Sequence, residues 1–587
     1  MPAAGSAVRT VIGHPDTARL PFSRTAPTPM STHHSGRRRF IGTLGAAALA
    51  TPVLLHSRPA AAAAPFLHGI ASGDPLARRV ILWTRVSAPG DANPRVNWEV
   101  ATDAGFSRVV RSGQFRTNAT RDFTVKIDVD GLSPDTRYHY RFTYAGQRSP
   151  VGRTRTLPEG AVDQVKLAVF SCSNFPAGYF HAYAEAARMD DLHAALHLGD
   201  YMYEYGRGGY ASDDAAALGR EVLPAGECIT LADYRTRHAL YRSDAGLQAL
   251  TASLPLIPVW DDHEVCNNTY VSGAANHTPA TEGDYSTRRN AALKAYHEWL
   301  PVRTPDTSDL RRIYRSFDFG DLLSLHMLET RLLARTEQLS FGDFVGPDGI
   351  DANALRAAMG ASSRQMLGSE QQAWLESRLE ASTATWQVLG QQVLMARAEI
   401  PAAIALDQIS ISNWIALNEK AATRPDDLTR AERYVLNQPA IPRSTDAWDG
   451  YAAAREAVYA AARRLDKNLV VVAGDTHNAW ASDLVDADGH RIGVEFATPG
   501  VSSPGMEVTR RTDAPEVVAQ WMVDAIPDLK YAETGHRGFL VLTATRDECR
   551  ATWHFVSTVK SRSYTLSEGA TLRTLPGSAH RALLPLA

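Results

Sequence analysis

Apolar and polar residues alternate along short segments between residues 66 and 160. Examples are the stretches RVILWTRV, VNWEVAT, FTVKIDVDGL and YHYRFTYAG, with a turn-forming stretch between one segment and the next. Alternation with a period of two over short, closely spaced segments is typical of strands that bury one face. The pattern therefore predicts a β-sandwich over residues 66–160.

One stretch of this region, GLSPDTRYHYRF, resembles a corner of fibronectin III-like domains. In such a corner a tyrosine hydroxyl, here that of Tyr138, bonds back to the backbone. We therefore expect a fibronectin III-like β-sandwich with Trp83 and Trp98 in its core.

A different pattern begins near Val165. Apolar runs such as VKLAVFSC, AALHLGD, LPLIPVWDD and NLVVVAGDTH alternate with helical stretches such as RRNAALKAYHEWL and YAAAREAVYAAARRLD. Strands that alternate with helices indicate an α/β domain with buried sheets. We assign it to residues 162–558 and set residues 559–587 apart as a C-terminal tail. Residues 401–450 show little periodicity, which favours a long functional loop.

Residues 1–64 have the composition of a targeting segment. Arg37, Arg38 and Arg39 precede a weakly apolar stretch of Ala, Leu and Gly and a run of alanines. This resembles a twin-arginine (Tat) signal, and a short membrane anchor or a disordered basic tail is the alternative interpretation. Because the apolar stretch is short for a bilayer span, we expect export by the Tat machinery. The mature chain is then secreted and extracellular, without a transmembrane anchor.

Charge and cysteine content narrow the function classes. The 587 residues carry 61 Lys and Arg against 64 Asp and Glu, a net charge of −3, with both signs mixed along the chain. This balance indicates no general surface for nucleic acid or anionic membranes. Four cysteines are too few for a disulfide framework, although a bridge between Cys228 and Cys266 is chemically possible outside the cell.

Four of the predicted strands end on residue types that bind metals. Because ligand sites of open α/β sheets lie beyond the carboxyl ends of the strands, we expect these ends to converge. The four blocks are Ser171-Cys172-Ser173-Asn174, Gly199-Asp200 with Tyr203-Glu204, Asp261-Asp262-His263-Glu264 with Asn267-Asn268, and Gly474-Asp475-Thr476-His477.

The donor types limit the metals. A thiolate, a phenolate, a carboxylate and an imidazole together suit a strongly Lewis-acidic ion, and Fe³⁺ is the natural candidate for a phenolate. The other donors, Asp262, Asp475 and an Asn267 or Asn268 side chain, offer oxygen, which favours Ca²⁺, Mg²⁺ or Mn²⁺ over Zn²⁺. Asp200 is the candidate bridge between two cations. A cation pair of this kind favours phosphate ester hydrolysis over redox chemistry.

These strand ends resemble the metallophosphoesterase family, which includes purple acid phosphatases. That family's signature has Asp-x-Gly, Gly-Asp-x-x-Tyr, Gly-Asn-His-Asp/Glu, a later His and Gly-His-x-His, and the second block is intact here as Gly199-Asp200 with Tyr203. Cys172 stands where the first Asp would be, and the Asp-Asp-His-Glu and Gly-Asp-Thr-His blocks also depart from the pattern. This variant set resembles the PhoD-type alkaline phosphatases, which include secreted actinobacterial phospholipase D enzymes of the non-HKD kind.

The resemblance covers residues 66–558 and implies an α/β catalytic domain of four αββα layers with an Fe³⁺ and a Ca²⁺ site. It implies His263 as the group that contacts phosphate and either stabilises the transition state or protonates the leaving oxygen, with Asp200 as a further catalytic residue. The implied iron ligands are Cys172, Asp200, Tyr203 and His477, and the implied calcium ligands are Asp200, Asp262 and Asp475.

The sequence leaves the roles of several residues undecided. Asp261 either exchanges roles with Asp262 or only orients a ligand, and Asn267 and Asn268 are as consistent with a turn as with metal binding. No residue matches the family's separate later His ligand. His326 and Glu329 of LLSLHMLETR lie nearby in the pattern, and we expect His326 in the core.

Two substrate classes fit the predicted metal centre. Phosphate monoesters would be the substrates of a phosphatase, and diesters, including phospholipids, those of a phosphodiesterase or phospholipase D. The loops at 205–230 and 401–450 would select between them. A secreted, non-catalytic binding protein and a redox iron protein are the weaker alternatives, because the ligand set is nearly complete and rich in hard oxygen donors.

Overall fold

The computed structural model describes residues 65–586 except 305 and 348. The predicted Tat signal of residues 1–64 lies outside the described residues. The described residues form one compact unit. Within the described ranges, no helix has both the length and the apolar character needed to cross a bilayer.

The described strands are numbered in chain order. They are β1 Ile70–Leu76, β2 Arg79–Arg85, β3 Arg95–Ala101, β4 Val109–Arg116, β5 Thr124–Val129, β6 Arg137–Tyr144, β7 Gln147–Arg148, β8 Gly152–Arg155, β9 Val165–Phe170, β10 Ala194–His197, β11 Pro255–Pro258, β12 Arg315–Phe319, β13 Leu323–Met327, β14 Val345–Gly346, β15 Gly349–Ile350, β16 Trp386–Gly390, β17 Glu399–Pro401, β18 Ala440–Pro442, β19 Leu469–Ala473, β20 Ala479–Val485, β21 Arg491–Ala497, β22 Leu529–Glu533, β23 Arg537–Ala544, β24 Cys549–Val556, β25 Leu566–Thr574 and β26 Leu584–Pro585.

The described α-helices follow the same order. They are α1 His181–Ala186, α2 Ala215–Leu218, α3 Leu231–Tyr241, α4 Ala245–Ser253, α5 Pro279–Glu282, α6 Tyr285–Trp299, α7 Ala352–Met359, α8 Gly368–Ala381, α9 Ala402–Ala405, α10 Ile411–Thr423, α11 Arg430–Leu436, α12 Ala452–Arg464, α13 Met506–Thr509 and α14 Pro515–Ala525.

A ten-stranded mixed sheet runs in the order β26-β25-β24-β23-β9-β10-β11-β1-β2-β5. Its centre is parallel, since β10 pairs in parallel with both β9 and β11. The first strand of the described chain continues this arrangement, with β1 parallel to β11. Three strands from the predicted sandwich region therefore belong to the large sheet that also carries the α/β strands.

The remaining long strands of the N-terminal region form a five-stranded sheet in which β3 pairs with β4 and β6. Val80 and Leu82 of β2 pack in one cluster with Val96 and Phe142 of the smaller sheet. Trp83, on the opposite face of β2, packs in the main core. The expected bond of Tyr138 is present, because its hydroxyl accepts the Ser133 N–H at 2.8 Å. Alternation along β2 thus serves two different cores.

A second mixed sheet of seven strands runs in the order β12-β13-β16-β19-β21-β20-β22. Val470 and Val472 of β19 pack in the core that also contains β9 and β23 residues. Leu469 and Val471, which alternate with them, pack against side chains of α8 and α12. The two large sheets therefore share a core, and helices cover the other face of the seven-stranded sheet.

Residues 401–450 differ from the long loop that the sequence favoured. They contain α9, α10 and α11 between the paired strands β17 and β18. Helix α11 begins at a capping box of Thr429 and Glu432, and α10 begins at the Ser410 cap. Few residues of α10 and α11 are buried, so their sequences show little apolar periodicity.

Residues 559–587, set apart in the sequence as a tail, contain β25 and β26. Both strands extend the ten-stranded sheet from β24.

Candidate metal centre

The carboxyl ends of four strands from the two large sheets meet at one place. The Cys172 N–H, beyond β9, donates to the Gly199 carbonyl beyond β10 at 3.2 Å. The Asp475 N–H, beyond β19 of the other sheet, donates to Ser171 Oγ at 3.4 Å. Three of the four predicted blocks are therefore in direct contact. The fourth, beyond β11, joins them through Glu264.

Glu264 connects the strand ends that carry Asp200 and Asp261. Its carboxylate accepts the N–H groups of Asp200 at 3.1 Å, of Asp261 at 2.7 Å and of Tyr201. Three backbone donors that a strand end would leave unpaired are thereby satisfied. Glu264 was quoted in the sequence only as part of its block, and its role depends on a contact between segments about 60 residues apart.

Backbone conformation at the site is unusual. Cys172, Asp200, Asp475 and His477 have φ angles of 61°, 53°, 60° and 59°. Non-glycine residues rarely occupy this left-handed region, and such strain concentrates where side chains must be aimed at a ligand. The tight turns at the strand ends direct all four side chains toward the shared edge of the sheets.

One group of donors consists of Cys172, Asp200 and His477, whose ligand atoms lie within 4.8 Å of one another. The Tyr203 hydroxyl joins them, because it donates to Asp200 Oδ2 at 2.9 Å and lies 3.2 Å from His477 Nε2. His477 Nδ1 lies 2.7 Å from the Pro504 carbonyl, so it carries the proton and leaves Nε2 as a free donor to a metal. These are the residues predicted as iron ligands.

A second group consists of Asp200, Asp262 and His263, again within 4.8 Å of one another. Asp262 Oδ2 accepts the Asn268 N–H at 2.6 Å. Among the described residues, Asp262 Oδ1 and Asp200 Oδ1 are buried and have no hydrogen-bond partner. Because buried carboxylate oxygens are normally paired, two such oxygens at one place fit a site built for cations.

Glu204 orients His263. Its Oε2 lies 2.7 Å from His263 Nδ1, while its Oε1 accepts the Asn267 N–H at 2.8 Å. The predicted ligand Asn267 therefore contacts this network through its backbone. The contact leaves Nε2 of His263 facing the group that includes Asp200 and Asp262.

Asp261 is held by Arg331, a fully buried residue that the sequence reasoning missed. Arg331 Nε pairs with Asp261 Oδ1, and its Nη1 donates to both oxygens of Asp446 at 2.9–3.0 Å. Arg331 Nη2 lies 3.8 Å from Asp262 Oδ1. These contacts favour the interpretation in which Asp261 orients its neighbours. The signal in the sequence was the Arg of LETR, two residues after Glu329.

Asp475 lies beside the second group without belonging to either cluster of close donor atoms. Burial and the charges of Asp446 and Asp262 raise the pKa of Asp475 to about 6, against the effect of Arg331. The Asp475 carboxylate is therefore close enough to Asp262 for their negative charges to repel each other.

His326 and Glu329 do not reach the donors. His326 is buried in the sheet with Nδ1 2.8 Å from Ser316 Oγ, which confirms its core position. Glu329 accepts the Trp260 indole N–H at 2.9 Å and the backbone N–H groups of the following turn. Its carboxylate is thus used to shape the turn that delivers Arg331.

Burial and mutual repulsion make it unfavourable for the acidic side chains of the site to carry charge without positive charge nearby. Burial, together with the neighbouring carboxylates, raises the pKa of Asp200 and of Asp261 well above the usual range. The pKa of Glu264 is raised to about 7 by burial despite its backbone donors. Asp200, Asp261 and Glu264 therefore cannot all ionise in this buried cluster unless cations accompany them. Asp262 differs, because His263 and Arg331 outweigh burial and lower its pKa.

The Cys172 thiol and the Tyr203 phenol also have raised pKa values. Burial, followed by the charge of Asp200, raises the pKa of the Cys172 thiol and of the Tyr203 phenol well above their usual values. Burial disfavours a charged His263, but Asp262, Glu204 and Asp200 outweigh it and raise its pKa. A protonated His263 beside a cation site is suited to give a proton to a leaving oxygen.

The four cysteines are buried and free, so Cys228 and Cys266 form no bridge in this structure.

Two family models match the chain. The model described as PhoD-like phosphatase matches residues 167–553, and the model described as PhoD-like phosphatase, N-terminal domain, matches residues 50–158. Together they cover most of both predicted domains, residues 66–160 and 162–558.

One curated protein and one solved structure are similar over most of the chain. The chain is 34% identical to alkaline phosphatase D of Bacillus subtilis (strain 168) over 525 residues, which are 86% of this chain and 80% of that protein. A solved structure of PhoD superposes with a TM-score of 0.72 at 31% identity, covering 90% of this chain and 93% of that one.

Proposed function

The chain belongs to the PhoD-like phosphatase family and is a phosphoric ester hydrolase, and from that premise we propose that it is an exported alkaline phosphatase with an Fe³⁺ and a Ca²⁺ site. Its substrates are phosphate monoesters. The observation that carries the proposal is the pair of donor groups that share Asp200, the predicted bridging carboxylate. Asp200, which belongs to both groups, and Asp262, which belongs to the second, each have an Oδ1 that is buried without a hydrogen-bond partner among the described residues.

The donor chemistry supports the two metals. Cys172, Tyr203 and His477 with Asp200 offer a thiolate, a phenolate, an imidazole and a carboxylate, of which the phenolate in particular suits the strongly Lewis-acidic Fe³⁺. Asp262 and Asp475 with Asp200 offer the oxygens suited to Ca²⁺. Mn²⁺ or Mg²⁺ would also fit the oxygen-rich side. When bound, the cations supply a water of lowered pKa and neutralise charge on the phosphoryl group.

The side chains of the chain itself divide the remaining work. His263, held by Glu204 and charged because of Asp262, donates a proton to the leaving oxygen. Arg331 fixes Asp261 and therefore the turn that carries Asp262 and His263. The close burial of these groups excludes bulk water and strengthens their interactions.

The finer architecture and the location also belong to the proposal. We propose a fibronectin III-like sandwich before a four-layer αββα catalytic domain. Residues 1–64 would direct export through the Tat pathway, and the active enzyme would be extracellular. The arginine triplet at 37–39 supports this part.

The experiment compares three substrates on the full mature chain loaded with iron and calcium: a nitrophenyl monoester, a bis-nitrophenyl diester and phosphatidylcholine. We expect the highest kcat/KM on the monoester at alkaline pH. Asp200→Asn should abolish activity with loss of bound metal, because it removes the shared charged ligand. Asp547→Asn, at an exposed position in the turn between β23 and β24, is the matched control.

Full activity in Asp200→Asn would contradict the assignment of the site. Preference for the diester or for phosphatidylcholine would instead identify a phosphodiesterase or phospholipase D that uses the same residues.

A further inference from the structure

Asp446 pairs with two buried arginines beside the metal centre. Both of its carboxylate oxygens accept from Arg331 Nη1 at 2.9–3.0 Å, and Oδ1 also accepts from Arg335 Nη2 at 2.6 Å. Arg335 donates to the Asp446 carbonyl as well, at 2.7 Å, and lies over the ring of Tyr451 with 4.6 Å between Cζ and the ring centroid. Both arginine side chains are fully buried. Arg335 therefore fixes Asp446 in place, and Asp446 in turn fixes one end of Arg331.

The other end of Arg331 lies beside the two acids that follow β11. Its Nε pairs with Asp261 Oδ1, and its Nη2 lies 3.8 Å from Asp262 Oδ1. That separation is too long for a hydrogen bond. Within the described part of the chain, Arg331 Nη2 and Asp262 Oδ1 are each buried without a hydrogen-bond partner. A donor and an acceptor of opposite charge are thus held close together without pairing.

The contacts around this pair explain why it stays open. A direct hydrogen bond between a guanidinium and a carboxylate is strongly favourable in a buried place. The guanidinium is planar and rigid, so it cannot approach Asp262 without weakening its bonds to Asp261 and Asp446. The other oxygen of Asp262 is held too, since Oδ2 accepts the Asn268 N–H at 2.6 Å. Asp262 Oδ1 is therefore left free to bind a ligand.

We propose that Asp446 is a positioning residue of the second donor group, which restrains Arg331 from pairing with Asp262 and keeps Asp262 Oδ1 available to a divalent cation. The inference rests on the proposed function, because it requires a cation at that group. Within the described chain, the ion pairs of Asp446 reach Arg331 and Arg335 and none of the predicted iron ligands. Loss of Asp446 should therefore affect calcium and leave iron in place.

Asparagine at position 446 would release one end of Arg331. An amide keeps one acceptor oxygen, but its NH₂ group cannot accept from a guanidinium. Arg331 and Arg335 would then share a single acceptor, while the free oxygen of Asp262 lies 3.8 Å from Arg331 Nη2. Once Arg331 pairs with Asp262, it neutralises the carboxylate and occupies the oxygen that a cation would use.

The test measures calcium binding to the iron-loaded full chain by titration calorimetry, in the wild type, Asp446→Asn and Asp446→Glu. Asp449→Asn is the matched control, because Asp449 lies three residues further on, is buried and pairs with the buried Arg455. Further readouts are bound iron, the visible absorption band, Tm and the calcium concentration that gives half-maximal hydrolysis of the nitrophenyl monoester. A crystal structure of Asp446→Asn gives the distance from Arg331 Nη2 to Asp262 Oδ1.

For Asp446→Asn we expect the calcium Kd to rise about 10- to 100-fold, the range measured when a residue that orients a metal ligand is changed. Arg331 Nη2 should lie within hydrogen-bond distance of Asp262 Oδ1. Iron content and the visible band should equal those of the wild type, and saturating calcium should restore the rate. Asp446→Glu keeps a carboxylate for Arg331 and should recover most of the calcium affinity. Asp449→Asn should lower Tm and bind calcium as the wild type does.

An unchanged calcium Kd in Asp446→Asn, an equal rise in Asp449→Asn, or an Arg331 side chain that has not moved toward Asp262 would overturn the inference. If Asp446→Asn does not fold, Asp446→Glu decides, and a calcium Kd that rises while the new carboxylate still pairs with Arg331 overturns it. Failure of the proposed function looks different, because the wild type itself then binds no calcium or hydrolyses no phosphate ester.

Discussion

The Tyr203 hydroxyl connects three separate segments of the chain. It donates to Asp200 Oδ2, lies beside His477 Nε2 and accepts the Ser503 hydroxyl at 2.7 Å. Its backbone is held as well, since the Tyr203 carbonyl accepts from the buried Arg237 and its N–H donates to the Tyr241 hydroxyl. A phenol fixed this firmly is pre-organised as a ligand. Burial and the charge of Asp200 raise the pKa of Tyr203 well above its usual value, so a bound metal would have to replace the phenol proton.

We predict that the iron-loaded enzyme has a visible charge-transfer band and that Tyr203→Phe weakens or shifts it. Phenylalanine keeps the ring packed and removes only the oxygen, so the loss of stability should stay near 1 kcal/mol. Absorption spectra at equal iron content provide the measurement. Tyr205→Phe, which changes a tyrosine beside His263 rather than within the first donor group, is the control. A spectrum unchanged in Tyr203→Phe would refute the iron assignment.

Single residues were predicted from the sequence where their chemistry is visible locally. Residue type and position after an apolar run were enough to identify Cys172, Asp200, Tyr203 and His477. The structure brings these four side chains together. Arg331 has only its place in the LETR stretch as a sequence signal, and that stretch does not identify its partner. Asp261 is 70 residues away, so the role of Arg331 follows from the contact between the end of β11 in one sheet and the end of β13 in the other.

Turns at the strand ends determine how precisely the site is assembled. Gly199, with a φ angle of 110°, packs so closely on the next strand end that a Cβ would lie 2.3 Å from Asp261 Cβ and 2.4 Å from Asp261 N. The backbone there cannot move aside, because the N–H groups of Asp200 and Asp261 share Glu264. The apolar run therefore ends on Gly-Asp for a steric reason as well as a chemical one.

We predict that Gly199→Ala disrupts the metal centre, whereas Gly146→Ala is mild. Gly146 has a comparable φ angle of 78° but open space around its Cβ position. The control thus measures the backbone term alone, about 1–2 kcal/mol. Gly199→Ala should cost more by urea unfolding and should lose activity, because Asp261 and Asp262 must shift. Equal costs in the two variants with activity retained would contradict this role of Gly199.

Elements were predicted where one face of a strand or helix is buried. The alternation from residue 66 to 160 and the buried runs after Val165 correspond to strands of the sheets. Helices α10 and α11 were not predicted, because they are mostly exposed and show little apolar periodicity. Their capping residues define where they begin. The pairing of β1 with β11 was not predicted either. An alternating pattern shows which face of a strand is buried, but it does not show which strand lies beside it.

At the scale of the whole molecule, the N-terminal region and the catalytic strands share one sheet. Beyond the β1–β11 pairing, Arg315 from β12 donates to Asp74 within β1 at 2.7 Å, so the second large sheet is tied to the same strand. Trp83 of β2 donates to the Glu298 carbonyl at the end of α6. The strand that delivers Asp261 and Asp262 is thereby braced on its outer side by the N-terminal region.

The charge of the assembled site links metal binding to the stability of the whole chain. Without cations, the folded protein raises the pKa of Glu264 to about 7 and that of Asp475 to about 6, from ordinary values of 4.5 and 3.8. Between about pH 4 and pH 7 these two carboxyl groups therefore hold more protons in the folded state than in the unfolded chain. Their contribution to the unfolding free energy of the metal-free protein falls as pH rises through this window, whereas buried histidines with lowered pKa values, such as His197 and His238, contribute in the opposite direction.

We predict that metals stabilise the protein more at pH 8 than at pH 5. Bound cations replace the protons, so they compete with them at pH 5 and meet ionised ligands at pH 8. At 100 times the dissociation constant, a bound metal adds about 2.7 kcal/mol, and protonation of the ligands reduces that gain by weakening the affinity. Calorimetric Tm values of chelator-treated and metal-reloaded protein at both pH values provide the measurement. Asp130→Asn, at an exposed position of the N-terminal region, should leave the difference unchanged. A Tm gain equal at the two pH values, or larger at pH 5, would show that the buried acids are not the groups that bind the cations.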